Sequence, residues 1–391
     1  GDDRLRVMAY SGNRRVVQYQ SLPRFLQAGV IDFDRDFHGT DISWLHVTPA
    51  AGGKLSATIG VDYGRSTDAR LGFENFVGNQ SGVKGALRRD EQDTVSNIDP
   101  YAQAEWQRGA WVLTGGLRHN RLKVTVRDHF ASNGDDSGSV SFSHTAPVAG
   151  MLYKVSPVLN LYASAARGFE APTLNELFYS GAGEGFNFRL RPVTSVHVET
   201  GVKAIAGSGA RINAALFQAR TRDELAVDIS GGGRTSYRNA GKTLRRGAEL
   251  SMDSSLGAGL NARVAMTLLR ATYEQGTRLP GVQNANLFAE LAWKNSADTL
   301  GAALEAIASS KVYADDANAE IPAPGYGLLN ARVQARQEMG GWRLKQFARL
   351  NNLADRKYVG SLIVGDANKR YYEAAPGRNW LLGFSAQRVF R

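Results

Sequence analysis

The sequence of 391 residues contains no cysteine. That excludes a disulfide framework, thiolate catalysis and a cysteine-based zinc site. No apolar run approaches the roughly 18 residues that a transmembrane helix needs. The first ten residues, GDDRLRVMAY, hold no signal-peptide core, so the expectation is a removed leader or a chain that begins inside a longer protein. Dense Lys or Arg blocks are missing too, although the formal net charge is +10. The basic residues stand singly along the chain. This argues against a nucleic-acid arm and for positive charge spread over a wall. None of the six histidines stands at metal-ligand spacing from another histidine or a carboxylate. There is no nucleophile elbow. The stretch SGGGR, Ser230 to Arg234, lacks the Lys-Ser/Thr of a phosphate loop. Asp135-Asp136 and Asp315-Asp316 read as solvated loop acids rather than calcium ligands. No catalytic group, metal or cofactor is expected. Helical repeats, low-complexity tracts and linkers are also lacking, so the chain reads as one architectural unit.

What the sequence does have is period-two alternation from end to end. From Tyr101 to Gln107, Ala102, Ala104 and Trp106 face one way, and Tyr101, Gln103, Glu105 and Gln107 the other. Leu287, Ala289, Leu291 and Trp293 oppose Phe288, Glu290, Ala292 and Lys294. Ala331, Val333 and Ala335 oppose Arg332, Gln334 and Arg336. Leu260, Ala262, Val264, Met266 and Leu268 form a further apolar row.

Short turns rich in glycine recur at 50–53, 108–109, 207–209, 256–259 and 340–341. Glycine supplies the positive φ that tight hairpins need. Longer polar segments fall at about 76–96, 130–138, 169–193, 273–283 and 313–324. The reading is about sixteen strands of roughly 9–15 residues, with short turns at one end and long loops at the other. A soluble sandwich also alternates, but it has no reason to sort its turns by length. The pattern is that of an all-β transmembrane antiparallel barrel, in which closure leaves no backbone group unpaired in lipid. Trp106, Trp111, Trp293, Trp342 and Trp380 lie near predicted turns, where an aromatic girdle sits.

The stretch ARGFEAPTLNELFYS breaks this pattern. Through Arg167, Phe169, Pro172, Thr173, Glu176, Leu177 and Phe178 it resembles a motif of TonB-dependent outer-membrane receptors. Further matches follow in the family's order. HVETGVKA matches through Glu199, Gly201, Val202 and Lys203. YRNAGKTLRRGAEL matches through Asn239, Ala240, Gly241, Gly247 and Glu249. NNLADRKY matches through Asn352, Leu353, Asp355 and Tyr358, and PGRNWLLGF through Pro376, Gly377 and Arg378. The stretch GVIDFDRDFHGTDISW, Gly29 to Trp44, is similar to a subgroup that includes the receptor for pyrroloquinoline quinone. The resemblance implies a 22-stranded barrel with an N-terminal plug and TonB-box. About sixteen strands are visible, and neither plug nor TonB-box is. Residues 1–391 therefore read as a receptor barrel domain lacking the plug and first strands. Arg391 after Phe390 and Arg388 in the row Leu382, Phe384, Ala386 depart from the family's aromatic ending.

The resemblance implies no catalysis. It implies a receptor in the bacterial outer membrane that imports a scarce large solute with energy from TonB, delivered through a plug. A ferric siderophore is the default and a quinone cofactor the narrower choice. A passive 16-stranded porin is the alternative, and an enzyme barrel would need a rim constellation that is missing. Expected partners are an anionic metal chelate, outer-membrane lipid and lipopolysaccharide, and TonB, with no nucleic acid. Candidate ligand contacts come from two loops. One holds Phe178, Tyr179, Phe186, Phe188, Arg189 and Arg191; the other holds Lys369, Arg370, Tyr371 and Tyr372. Aromatic faces with guanidinium forks suit planar anions; loop packing and lipopolysaccharide contact are the alternatives. Arg167, Phe169, Pro172, Thr173, Glu176, Leu177, Asn352, Leu353, Asp355 and Tyr358 are expected to be structural. The inward rows hold Arg332, Arg336, Arg343, Lys345 and Arg349, which suggests a positive lumen that favours anions.

Overall fold

A strand with one apolar and one polar face is stable only if neighbours satisfy its backbone on both edges. The computed structural model describes residues 2–20, 29–179, 185–207, 209–231 and 234–388 and meets that demand with one large antiparallel sheet. The strands are β1 (Asp2–Tyr19), β2 (Gly29–Ala50), β3 (Gly53–Glu74), β4 (Phe76–Val77), β5 (Gln80–Ser81) and β6 (Leu87–Arg108). Next come β7 (Trp111–Asp128), β8 (Gly138–Ser156), β9 (Leu159–Glu170), the helical turn α1 (Leu174–Leu177), β10 (Val193–Ala206) and β11 (Ala210–Arg222). Then follow β12 (Leu225–Gly231), β13 (Arg234–Asn239), β14 (Thr243–Gly257), β15 (Leu260–Tyr273), β16 (Ala285–Lys294) and β17 (Leu300–Ser309). The last are β18 (Tyr326–Met339), β19 (Trp342–Asn351), β20 (Val359–Leu362), β21 (Tyr372–Ala374) and β22 (Asn379–Arg388).

Sixteen strands form the sheet, in the order β1-β2-β3-β6-β7-β8-β9-β10-β11-β14-β15-β16-β17-β18-β19-β22. The small hairpins β4–β5, β12–β13 and β20–β21 stand apart, inside long loops. Short turns and long loops alternate as expected. Two short turns, at 157–158 and 295–299, were not legible beforehand. Strand lengths in the sheet run from 10 to 22 residues, beyond the expected range. The supposed loop 76–96 ends at residue 86, because β6 begins at Leu87.

The chain divides into two compact units. The first comprises residues 1–151, 164–197 and 221–242. Here β3 and β6 pair Leu55↔Trp106, Ala57↔Ala104, Ile59↔Ala102, Val61↔Pro100 and Tyr63↔Ile98. These residues make an apolar row on one face, and Ile59 and Ile98 are about half exposed. The row spans the roughly 9–11 residues that a tilted strand needs to cross a bilayer. It ends at Tyr63 and Ile98; the next positions are Arg65 and Ser96. The strands continue for several residues past the membrane-crossing segment. Pro100 has no N–H for the ladder, and β6 and β7 skip from Asn97↔Leu122 to Tyr101↔Arg118. The Asp99 carboxylate accepts the Arg121 N–H at 3.0 Å and fills the gap.

The second unit comprises residues 152–163, 198–220 and 243–391. Its strands β16 to β18 carry exposed Leu287, Leu291, Trp293, Leu304, Leu329 and Val333 on one face. On the opposite face most of the positive charge is paired. Arg349 makes a two-pronged pair with Glu305, at 2.7 and 2.5 Å. Arg332 pairs with Glu290 at 3.4 Å, Arg343 with Glu338 at 3.1 Å, and Arg336 with Asp298. Four of the five strand cations named above are thus neutralised by carboxylates of the same unit. The expected field there is much reduced. Phe390 and Arg391 lie outside the described residues; Arg388 sits 5.8 Å from the Trp342 ring that it faces across the ladder.

Candidate functional site

Past the apolar row of the first unit, the opposite face of β3 and β6 turns densely charged. Antiparallel register sets Arg70 across from Glu91 and Asp68 across from Asp93. On the other side of β3, β2 sets Arg35 across from Asp68. Arg35 grips both oxygens of Asp68, at 2.6 Å each. Arg89 binds one oxygen of Glu91 at 3.1 Å. Among the described residues Arg70 has no ion pair. Its guanidinium lies instead 3.7 Å from the centre of the Phe178 ring. Burial and the neighbouring Arg89 both push the Arg70 pKa down.

Phe178 arrives there because the interrupting motif folds as a lock. Thr173 caps α1 by accepting the Glu176 N–H at 3.3 Å, and the Glu176 carboxylate accepts the Thr173 N–H at 2.7 Å. This capping box satisfies otherwise orphaned donors. It presents Leu177, with no exposed surface, to a core of Val124 and Leu190. Pro172 is fully buried. Phe186 meets Phe178 edge-on at 5.4 Å and stacks on Phe188 at 5.6 Å. Phe169 stacks on His144 at 5.2 Å, and Arg167 is exposed.

Beside Arg70 opens a cavity of about 450 Å³. Arg70, Arg88, Arg89, Glu91, Phe130 and Tyr179 are on its wall. The acids Glu74, Asp128 and Asp136 also face it. Asp128 is committed to the backbone N–H groups of Phe130 and Asp136. The arrangement can take a ligand with an anionic group for Arg70 and an aromatic or apolar part for Tyr179 and Phe130.

The expected contacts are therefore not all in one place. Tyr179 lines the cavity, while Phe178, Phe186 and Phe188 build its support. Arg189 is exposed. Arg191 bonds Asp223 at 2.6 Å. Residues 180–184 of this loop lie outside the described residues. Lys369, Arg370, Tyr371 and Tyr372 belong to the second unit. There Lys369 pairs with Glu320 at 3.5 Å, Tyr371 donates to Glu320 at 3.4 Å, and Tyr372 donates to the Ile321 carbonyl. The Arg370 N–H is held by Asp366 at 2.7 Å. Sequence reasoning missed Arg70, Arg89, Glu91 and Asp93. The usable signal is charge on alternate positions just beyond the end of an apolar row.

The remaining motifs also have physical reasons. Tyr162 donates to Glu199 at 2.7 Å, its ring crosses Gly201, and Lys203 lies 5.5 Å from the ring centre. Alternate positions of one strand thus serve a single ring. Asn352 takes positive φ and is bonded to Asn330 and Arg356. The Leu353 N–H donates to Leu329 at 2.8 Å. Asp355 accepts the Arg378 N–H at 2.7 Å, and Tyr358 packs on Tyr326 at 4.4 Å.

Residues 2–353 match the model of the TonB dependent receptor-like beta-barrel family. Solved structures agree in fold. The ferric citrate transporter FecA in its unliganded form superposes with a TM-score of 0.82 at 16% identity, over 98% of this chain and 59% of that one. The copper transporter OprC gives 0.75 at 15% identity, over 98% and 62%. The ferric yersiniabactin uptake receptor FyuA from Yersinia pestis gives 0.73 at 15%, over 100% and 59%. The chain thus spans about three-fifths of the length of these structures. It belongs to the TonB-dependent receptor-like β-barrel family, whose barrels sit in the bacterial outer membrane.

Proposed function

We propose that this chain is the barrel part of a receptor that binds a large, scarce solute bearing anionic groups and imports it. A ferric chelate of the siderophore class is the solute most in keeping with the relatives' names. TonB supplies the energy through a plug domain, lipid covers the apolar rows, and lipopolysaccharide meets the rim. The observation that carries the reading is Arg70. Its guanidinium lies against the Phe178 ring, without a carboxylate partner among the described residues, on the wall of a cavity that Tyr179 also lines. A polycarboxylate quinone would use the same guanidinium. Arg189 and Arg370 are exposed and available to a ligand from the loops, whereas Arg191 would have to leave Asp223.

The test uses the intact receptor with Arg70→Gln and, separately, Tyr179→Ala. Binding of ferric citrate and of a ferric catecholate is measured by equilibrium titration. Losing a charged hydrogen bond of roughly 1.5–3 kcal/mol predicts about 10- to 100-fold weaker binding for Arg70→Gln. Unchanged affinity removes Arg70 as a contact. Cellular uptake that persists without TonB replaces the receptor reading with a passive pore.

A further inference from the structure

Beneath Arg70, and off the cavity wall, lies Asp93. It is 1% exposed, and among the described residues neither carboxylate oxygen has a hydrogen-bond partner. Its neighbours cannot supply one. Asp68, across the ladder on β3, gives both oxygens to Arg35 of β2. Glu91, two residues along β6, binds Arg89 through one oxygen and leaves the other bare. On β7 the residue opposite Asp93 is Val126, buried and uncharged. From the loop side the Phe178 ring lies 3.7 Å from the Arg70 guanidinium.

The cluster therefore sets the carboxylates Asp68, Glu91 and Asp93 against the guanidinium groups Arg35, Arg70 and Arg89. With all six charged it is neutral. An anion arriving at Arg70 makes it negative in a place largely closed to water, where uncompensated charge is costly. The least costly remedy is to protonate the carboxylate that no hydrogen bond stabilises. We propose that Asp93 is the proton-binding residue of this cavity: an anionic group that reaches Arg70 binds together with one proton, which Asp93 takes up. This rests on the reading of the cavity as an anion site.

Asp93 is poised for the role. Burial first, then the charge of Glu91, push its pKa up to about 7, and it lies five residues beyond the apolar row of β6. The sign follows. Below that value Asp93 already holds its proton and the anion binds with no further uptake. Above it each binding event must recruit a proton, so affinity falls as pH rises. The limit is tenfold per pH unit for one linked proton. A simple competition between Asp93 and the ligand for Arg70 would weaken binding without moving protons between solvent and site.

The probe is hexacyanocobaltate(III), a trivalent metal complex that does not titrate near neutral pH. Its binding to the intact protein in detergent is followed by calorimetry from pH 5.5 to 8.5 at constant ionic strength. Two buffers of different ionisation enthalpy report the protons taken up. The expected result is affinity that falls up to tenfold per unit above pH 7, with uptake approaching one proton at pH 8. Asp93→Asn should bind more tightly at pH 8 and lose both slope and uptake. His129→Gln should keep both; His129 lies 3.5 Å from Asp90 at the same end of the sheet and is the control. Binding that is flat with pH, or a slope that survives Asp93→Asn, overturns the proton linkage alone. No binding at any pH, or binding that Arg70→Gln leaves intact, overturns the anion site and the linkage with it.

Discussion

At the scale of single residues, the motifs that mark this family are packing solutions. Gly201 is the clearest case. A side chain there would strike the Ala214 carbonyl oxygen and the Tyr162 ring. Its absence lets the ring lie flat while the hydroxyl reaches Glu199. Gly247 stands in the same relation to Phe217, and Gly383 to Phe347. Gly201→Ala is therefore expected to cost about 1–3 kcal/mol through overpacking, because the backbone oxygen cannot swing aside. The urea midpoint of protein refolded into lipid vesicles reads this out. The exposed turn residue Gly109, which a Cβ would leave clear of neighbours, is the control; there only its positive φ of 54° opposes alanine. A Gly201→Ala midpoint no lower than the control's would mean the ring does not need that space.

At the scale of elements, legibility followed the membrane. Alternation was plain wherever one face meets lipid, as in Ala102, Ala104 and Trp106. It failed at the start of β6, where LRRDEQDT reads as loop. Beyond the bilayer neither face of a strand must be apolar, so period two has nothing to display. That failure hid Arg89, Glu91 and Asp93. The hairpins β12–β13 and β20–β21 escaped for the same reason. The loop after β9 was legible as an interruption. Its purpose was not, because Leu177 meets Val124 and Leu190 only through tertiary contacts. This element makes its own prediction. Leu177→Ala removes a fully buried side chain, which in a core that cannot collapse costs about 2–5 kcal/mol. Glu176→Ala removes half of the capping box, at roughly 0.5–2 kcal/mol. Limited proteolysis should cut within residues 171–192 fastest in Leu177→Ala, then in Glu176→Ala, and slowest in the unaltered chain. Equal rates would show that the loop is held by something other than this lock.

At the scale of the whole molecule, the two faces of every strand make opposite demands on solvent. On β6 the change happens between adjacent residues. Ala102 lies at the centre of the apolar row from Ile98 to Trp106, paired with Ile59 on β3 and Leu117 on β7. Gln103 points the other way, between Thr58 and Gly116. Both are exposed, so neither substitution meets a packed core. An arginine at position 102 must place its charge near the middle of the bilayer, which costs roughly 2–4 kcal/mol in membrane barrels. An arginine at position 103 meets water, and an exposed substitution of that kind changes stability by about 0.5 kcal/mol or less. Ala102→Arg should thus lower the denaturant midpoint in lipid vesicles, while Gln103→Arg leaves it nearly unmoved. In detergent micelles, which deform around a charge, the gap should narrow. Equal penalties in vesicles would mean that the apolar row does not face lipid, and the reverse order would place the bilayer against the opposite face.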